Sequence, residues 1–408
     1  MNKETDNRPP FAAFAGKEPE NIFAHLPSPC YMIDEGQLHH NGRILASVAK
    51  RTGCKILLAQ KAFSNYDFYP LLAEYLAGTE ASGLFEAKLG KEKMPHKEVH
   101  VFCGAYREDE FEELLKTADH IVFNSPGQLR RFGFQAKKAG KSLGLRINPE
   151  CSTQKGHEIY DPCAAGSRLG TTLQLWKKEM TKELVDLLDG LHFHTLCEQD
   201  SDALEATLEA VEEKFGFILP GMKWLNMGGG HHITRPGYDV DRLERCIIKA
   251  RDKYGLQIYL EPGEACALNA GFFLSRILDI VENGEYRIAI LDASAACHMP
   301  DVIEMPYTPP LYKADEKKEE SAAGLYTYRL AGPTCLAGDI IGDYCFSYEL
   351  KVGDMLIFGD MAIYTTCKNN TFNGMPLPNI WKRARDGSLT QLTHFGYQDF
   401  TMRLGSRR

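Results

Sequence analysis

The chain has 408 residues, 44% of them hydrophobic and 25% charged, which excludes a disordered, collagenous or coiled-coil protein. Lysine and arginine number 47 against 55 acidic residues, a formal charge of −8, so a bulk electrostatic grip on nucleic acid is excluded as well. No apolar run approaches the ~20 residues that cross a bilayer, the polar stretch 1–10 carries no secretory signal, and none of the 12 cysteines forms a Cys-x-x-Cys pair. The expectation is a cytoplasmic protein, with no nucleic-acid or membrane partner, whose thiols are reduced.

Residues 1–20 read as a loosely held start, and Cys30–Ile33 as a short strand. Eight β-rich runs follow: 55–60, 79–82, 99–103, 120–123, 143–148, 191–195, 223–227 and 257–261. Amphipathic stretches at 109–117, 126–139, 173–188, 203–215 and 240–254 separate them. This alternation predicts an α/β fold, an eight-stranded parallel β/α barrel. After Asn269 the texture changes to β segments without long helices, at 272–281, 286–292, 326–330, 345–350, 355–358 and 363–366, which predicts a C-terminal all-β domain. Residues 313–323 read as an exposed charged loop, and 405–408 as a loose end. The expected division is an N-terminal extension over 1–26, a barrel over 36–268, and a β domain built from 27–35 and 269–408.

Barrel chemistry sits where strands end. Those ends carry Lys61, Glu80, Arg146, His194, the triplet Gly228-Gly229-Gly230 and Glu261. A lysine closing an apolar strand loses basicity when buried and can form a Schiff base. Three glycines let a backbone approach a phosphate and offer it N–H donors. A carboxylate at position 261 needs a cation or a proton-bearing nitrogen beside it. His192 and His194 alternate on one strand and share a face, so a two-histidine zinc site of a barrel hydrolase competes with this reading.

The motifs Gln60-Lys61-Ala62-Phe63, His192-Phe193-His194, Gly228-Gly229-Gly230, Glu261-Pro262-Gly263, Gly332-Pro333-Thr334-Cys335 and Asp360-Met361-Ala362-Ile363-Tyr364 stand in the order found in fold-type III pyridoxal-phosphate decarboxylases, the relatives of alanine racemase and of ornithine and diaminopimelate decarboxylases. The opening strand at 27–34 is similar too, and the resemblance runs from about Pro27 to Pro378. It implies pyridoxal 5′-phosphate bound on Lys61, with His194 stacked on its ring and Glu261 at its pyridine nitrogen. Gly228, Gly229, Gly230 and Tyr364 would take the phosphate, with Glu80 and Arg146 as further cofactor contacts. It implies a homodimer in which Cys335 crosses to the partner's site as a proton donor. It implies no metal.

Relatives acting on ornithine or diaminopimelate carry an arginine after Glu-Pro-Gly; here the residue is Glu264. A glutamate attracts a polyamine, by about 4 kcal/mol before desolvation for opposite charges ~4 Å apart at an effective dielectric of ~20. Glu264, Asp301 and Asp339 are therefore the expected contacts of a polyamine substrate, and the resemblance to the branch of the family that acts on carboxylated polyamines implies carboxynorspermidine and carboxyspermidine as substrates. The competing readings are an ornithine- or diaminopimelate-type decarboxylase and a non-catalytic pyridoxal-phosphate carrier. Cys197, where relatives place a phosphate-binding serine, and the pair His231-His232 carry no assignment.

Overall fold

The computed structural model describes residues 9–154, 160–317 and 325–406. The chain divides into two compact units, His39–Cys266 and a second made of 9–38 with 267–406.

The second unit opens on β1 (Cys30–Asp34). The first holds β2 (Lys55–Ala59), β3 (Gly78–Ala81), β4 (Glu98–Phe102), β5 (His120–Phe123), β6 (Ser142–Arg146), β7 (Gly190–His192), β8 (Trp224–Asn226) and β9 (Gln257–Leu260). These eight strands pair in parallel and close as a barrel, β9 returning to β2. The helices between them follow their side-chain pattern. In the helix Val240–Tyr254 the residues Leu243, Cys246, Ile247 and Ala250 recur at helical spacing and are buried, Asp239 caps the start, and Gly255 ends it at φ 70°, where a glycine carries no Cβ penalty. The expected helix over 173–188 is instead two, Leu173–Glu179 and Lys182–Val185. Thr181 caps the second by accepting from the Leu184 amide, so a polar residue that competes for backbone donors breaks the run.

Leu57, Val122, Trp224 and Tyr259 fill the barrel interior. Room for the indole comes from two neighbouring strands: a Cβ on Gly190 would lie 2.0 Å from the Trp224 ring, and one on Gly144 2.3 Å from it. The barrel accepts its largest side chain because the strands beside it have none.

The second unit adds β10 (Gly271–Asn283), β11 (Tyr286–Leu291), β12 (Ala314–Glu316), β13 (Tyr326–Ala331), β14 (Ile340–Phe346), β15 (Met355–Gly359), β16 (Asn379–Arg383) and β17 (Leu389–Thr393). The strand order is β12-β14-β13-β11-β10-β1-β16-β17, with β15 also on β10. β1 runs antiparallel to β10 and parallel to β16, so it is a central strand of this sheet.

Several expectations change here. The start of the chain is not loose after residue 10: Phe14 is buried beside Phe23, Leu26 and Phe272, with Phe11 packed against them. Residues 314–316 of the expected loop form β12 on β14, while 318–323 lie outside the described residues, as do 407–408. Residues 363–366 form no strand, because Asp360 and Tyr364 both adopt positive φ and the chain bends. The expected strand at 345–350 lies earlier, at Ile340–Phe346.

Candidate active site

Each barrel-end residue is held by the strand that delivers it. Lys61 sits in the turn after β2. Gln60 anchors that turn: its amide N–H donates to the Glu80 carbonyl at 3.1 Å, its side chain donates to the Glu86 carbonyl at 2.9 Å, and Tyr69 donates to Gln60 Oε1 at 3.1 Å. The end of β9 packs directly against this turn, since a Cβ on Gly263 would come 2.5 Å from the Ala62 Cβ. Lys61 is half-buried, and its charge acts on Glu80, His192 and His194.

Glu261 is buried and receives two donors, Asn226 Nδ2 to Oε1 at 2.5 Å and His192 Nε2 to Oε2 at 3.1 Å. Burial alone would raise its pKa; the hydrogen bonds from His192 and Asn226 work against this and lower it. Burial pushes His192 downward, so it is neutral at pH 7 and donates from Nε2. Its Nδ1 has no partner among the described residues, as that tautomer allows. The His192 ring lies 5.4 Å from Phe102, and the Arg146 guanidinium rests 4.6 Å over the same phenyl ring. Burial lowers Arg146 to about 10, partly offset by Glu261 and Glu80, and it stays charged. Its Nη2 donates to the His194 carbonyl at 2.9 Å.

Glu80 differs from Glu261. It is buried, its Oε2 has no hydrogen-bond partner among the described residues, and burial raises it to about 8 despite the Lys61 charge nearby. One carboxyl at this barrel end is thus ionised at neutral pH and the other largely protonated, a separation common at catalytic sites.

The glycine turn is partly self-satisfied. The Gly228 N–H donates to Asn226 Oδ1 at 2.9 Å, and the Gly229 N–H to His194 Nδ1 at 2.8 Å. Two of the three amides expected to face a phosphate are therefore committed within the chain. The second bond fixes the His194 tautomer with its proton on Nε2, and burial holds that ring neutral. Gly228 and Gly230 adopt φ of 71° and 78°, and a Cβ on Gly230 would lie 2.1 Å from the Leu196 carbonyl oxygen. His231 bonds back to the Met227 carbonyl at 3.2 Å; burial lowers it and His232 to about 4. Cys197 contributes its carbonyl to Gln154.

The two-histidine zinc reading draws no support from the geometry: among the described residues His192 and His194 belong to no group of three or more ligand atoms at metal spacing. Among the described residues the trio with metal-ligand spacing is Glu98, His100 and His120, whose ligand atoms lie within 4.8 Å of one another. The two imidazoles stack at 3.9 Å with planes 9° apart. Lone pairs of parallel rings do not converge at the ~2.0–2.1 Å that zinc requires.

In the second unit, Cys335 is exposed, and its backbone N–H donates to Asn373 Oδ1 at 2.6 Å. Tyr364 lies in the bend after β15, 6.0 Å from the Lys368 ammonium. Asp301 and Glu304 both pair with Lys368. Asp339 is buried and accepts from Ser294 Oγ at 3.0 Å, the Ala296 amide at 3.3 Å and Thr334 Oγ1 at 2.6 Å. These bonds make it the clasp of the Cys335 loop rather than a substrate contact. Glu264, in the first unit, is half-buried at the start of the helix Glu264–Ala267. Sequence reasoning missed Asn226 and the true partner of His192; the signal for the first was a polar residue closing an apolar strand two positions before three glycines.

Residues 30–362 match the family described as pyridoxal-dependent decarboxylase, C-terminal sheet domain. The chain is 43% identical, over 94% of its length and 100% of the relative's, to a carboxynorspermidine/carboxyspermidine decarboxylase of Campylobacter jejuni. It is 41% identical, over 93% of its length and 96% of the relative's, to a carboxyaminopropylagmatine decarboxylase of Synechocystis. The crystal structure of carboxynorspermidine decarboxylase complexed with norspermidine from Campylobacter jejuni superposes with a TM-score of 0.85 at 42% identity, covering 93% of this chain and 100% of that one. The chain therefore belongs to the pyridoxal-dependent decarboxylases, beside the carboxynorspermidine/carboxyspermidine decarboxylases.

Proposed function

We propose that the chain decarboxylates carboxynorspermidine to norspermidine and carboxyspermidine to spermidine, working as a cytoplasmic homodimer with pyridoxal phosphate held on Lys61. The observation that carries this reading is the meeting, at one barrel end, of Lys61, the ionised Glu261 and the glycine turn. These residues fit the cofactor. Each Glu261 oxygen takes one donor and retains a lone pair for a ring N–H.

When bound, the cofactor supplies an electron sink for the pair left behind by carbon dioxide, provided its ring nitrogen stays protonated. Glu261 keeps that proton in place, because His192 and Asn226 hold it ionised. His194, neutral and fixed by the Gly229 amide, offers its ring face. The Arg146 charge acts on both carboxyls. By resemblance to the family, Tyr364 would be a further contact for the phosphate. Cys335 of the partner subunit returns a proton to the α-carbon. Glu264 and Asp301 take the distal amines; Asp301 already pairs with one ammonium, that of Lys368, the chemistry a polyamine presents. All twelve cysteines are free, which supports a reducing compartment, and among the described residues no helix is long and apolar enough to cross a membrane.

The deciding experiment is carbon dioxide release from carboxynorspermidine, carboxyspermidine, carboxyaminopropylagmatine, diaminopimelate and ornithine. The first two should turn over fastest. The 41% identity to the Synechocystis relative makes carboxyaminopropylagmatine the second reading, and preference for it would replace the first. Lys61→Ala should abolish the visible absorbance of the bound cofactor; an unchanged spectrum would refute the assignment of Lys61.

A further inference from the structure

We propose that Asn226 is a positioning residue that sets the spacing between the carboxylate serving the ring nitrogen and the turn serving the phosphate. The inference rests on the cofactor assignment above. Asn226 closes β8 and its side chain is fully buried. Nδ2 donates to Glu261 Oε1 at 2.5 Å, while Oδ1 accepts from the Gly228 amide at 2.9 Å. One rigid planar group thus spans both anchors. An amide can do this because it offers a donor on one side and an acceptor on the other. An ionised aspartate has no donor for Glu261, and an aliphatic side chain has neither group.

The backbone closes the same gap from a second side. The Glu261 amide donates to the Gly228 carbonyl at 2.8 Å, and the Met227 amide to the Tyr259 carbonyl at 2.9 Å. Gly228 is therefore fixed through its C=O to Glu261 directly and through its N–H to Asn226, which itself bonds Glu261. The cofactor carries its nitrogen in a rigid ring and its phosphate on a short arm from the same ring, so the two lie within a narrow range of separations. A ligand held at two such points gains most when the protein's two contacts already stand at the right separation. Asn226 touches neither end of the ligand in this scheme; it acts through Glu261 and Gly228.

The test uses full-length protein freed of cofactor, with binding measured by equilibrium dialysis. Two ligands are compared: pyridoxal phosphate, and 1-deazapyridoxal phosphate, in which carbon replaces the ring nitrogen. The wild-type protein should prefer the natural ligand. Asn226→Ala should weaken pyridoxal phosphate about ten- to a hundredfold, the range of a lost hydrogen bond to a charged group. Its preference over the deaza analogue should fall at least about tenfold, as in Glu261→Gln, and combining the two substitutions should lower that preference little further. Asn226→Leu, which fills the space without polar groups, should behave alike and guards against a simple packing defect. Equal weakening of both ligands, with the preference intact, would mean that Asn226 only supports the fold and would overturn the proposal. A Lys61→Ala protein that keeps its visible band would instead overturn the cofactor assignment, so the two failures are distinguishable.

Discussion

Glu80→Gln should remove part of the pH dependence of folding of the cofactor-free protein. Burial lifts the Glu80 carboxyl from 4.5 to about 8, against the opposing charge of Lys61. An acid whose folded value lies above its unfolded value binds more protons folded than unfolded between the two. Its contribution is therefore present below pH 4.5 and is lost as the pH rises toward 8. The limiting slope is about 1.4 kcal/mol per pH unit. Between pH 6 and pH 9 the wild-type protein should lose about 2–3 kcal/mol from this group, with little further loss above. Glutamine keeps the shape and carries no proton to lose. Urea unfolding followed by tryptophan fluorescence at pH 6 and pH 9 measures the effect. The difference between wild type and variant cancels the depressed histidines His192 and His194, which stabilise with rising pH in both proteins. Parallel pH curves for the two proteins would refute the account of Glu80 as a buried, protonated acid.

Gly230→Ala should empty the site of cofactor, since its Cβ would lie 2.1 Å from the Leu196 carbonyl oxygen and 2.9 Å from the Cys197 amide at a φ of 78°; a wild-type visible spectrum would contradict this. Asp34→Ala should destabilise the second unit by about 3–5 kcal/mol, because it strands the buried Arg383, which Asp34 pairs at 2.5 Å; a midpoint in urea within error of wild type would count against it. Mixing inactive Lys61→Ala with inactive Cys335→Ala protein should restore part of the activity through one intact hybrid site, and no recovery would argue against sharing between subunits.

The barrel was legible because its strands are short apolar runs punctuated by amphipathic helices, and the ends of β5 and β9 fall within a residue of expectation. The sheet of the second unit was harder. β16 (Asn-Ile-Trp-Lys-Arg) mixes basic and apolar residues and pairs with β1 across some 350 positions of chain, a partnership that no local pattern records. β14 carries Gly342 and Asp343 in its middle, which dilutes the β signal there and drew the expectation onto Cys345–Leu350. The run Ile363–Thr366 has strand-like residues, yet positive φ at Tyr364 overrides that preference. In the site, residue types at strand ends were readable, since each strand delivers its last side chain to one face. Pairings were not: that His192 serves Glu261, or that Asp339 accepts from Ser294, depends on contacts between distant segments.

The commitment of the Gly228 and Gly229 amides changes what the glycine triplet contributes. Open loops rich in glycine lose much conformational freedom when a ligand orders them. Here Asn226 and His194 hold the first two amides, and the Gly228 carbonyl accepts from Glu261, so the turn is ordered before any phosphate arrives. The glycines are required for a different reason: a Cβ on Gly228 would meet the Phe193 carbonyl oxygen at 2.4 Å, and one on Gly229 the Glu261 carbonyl oxygen at 2.5 Å. Their lack of side chains lets β7, β8 and β9 converge at this point. The triplet thus brings His194 and Glu261 to one place, and binding energy that would have ordered a loop stays available for a ligand held there.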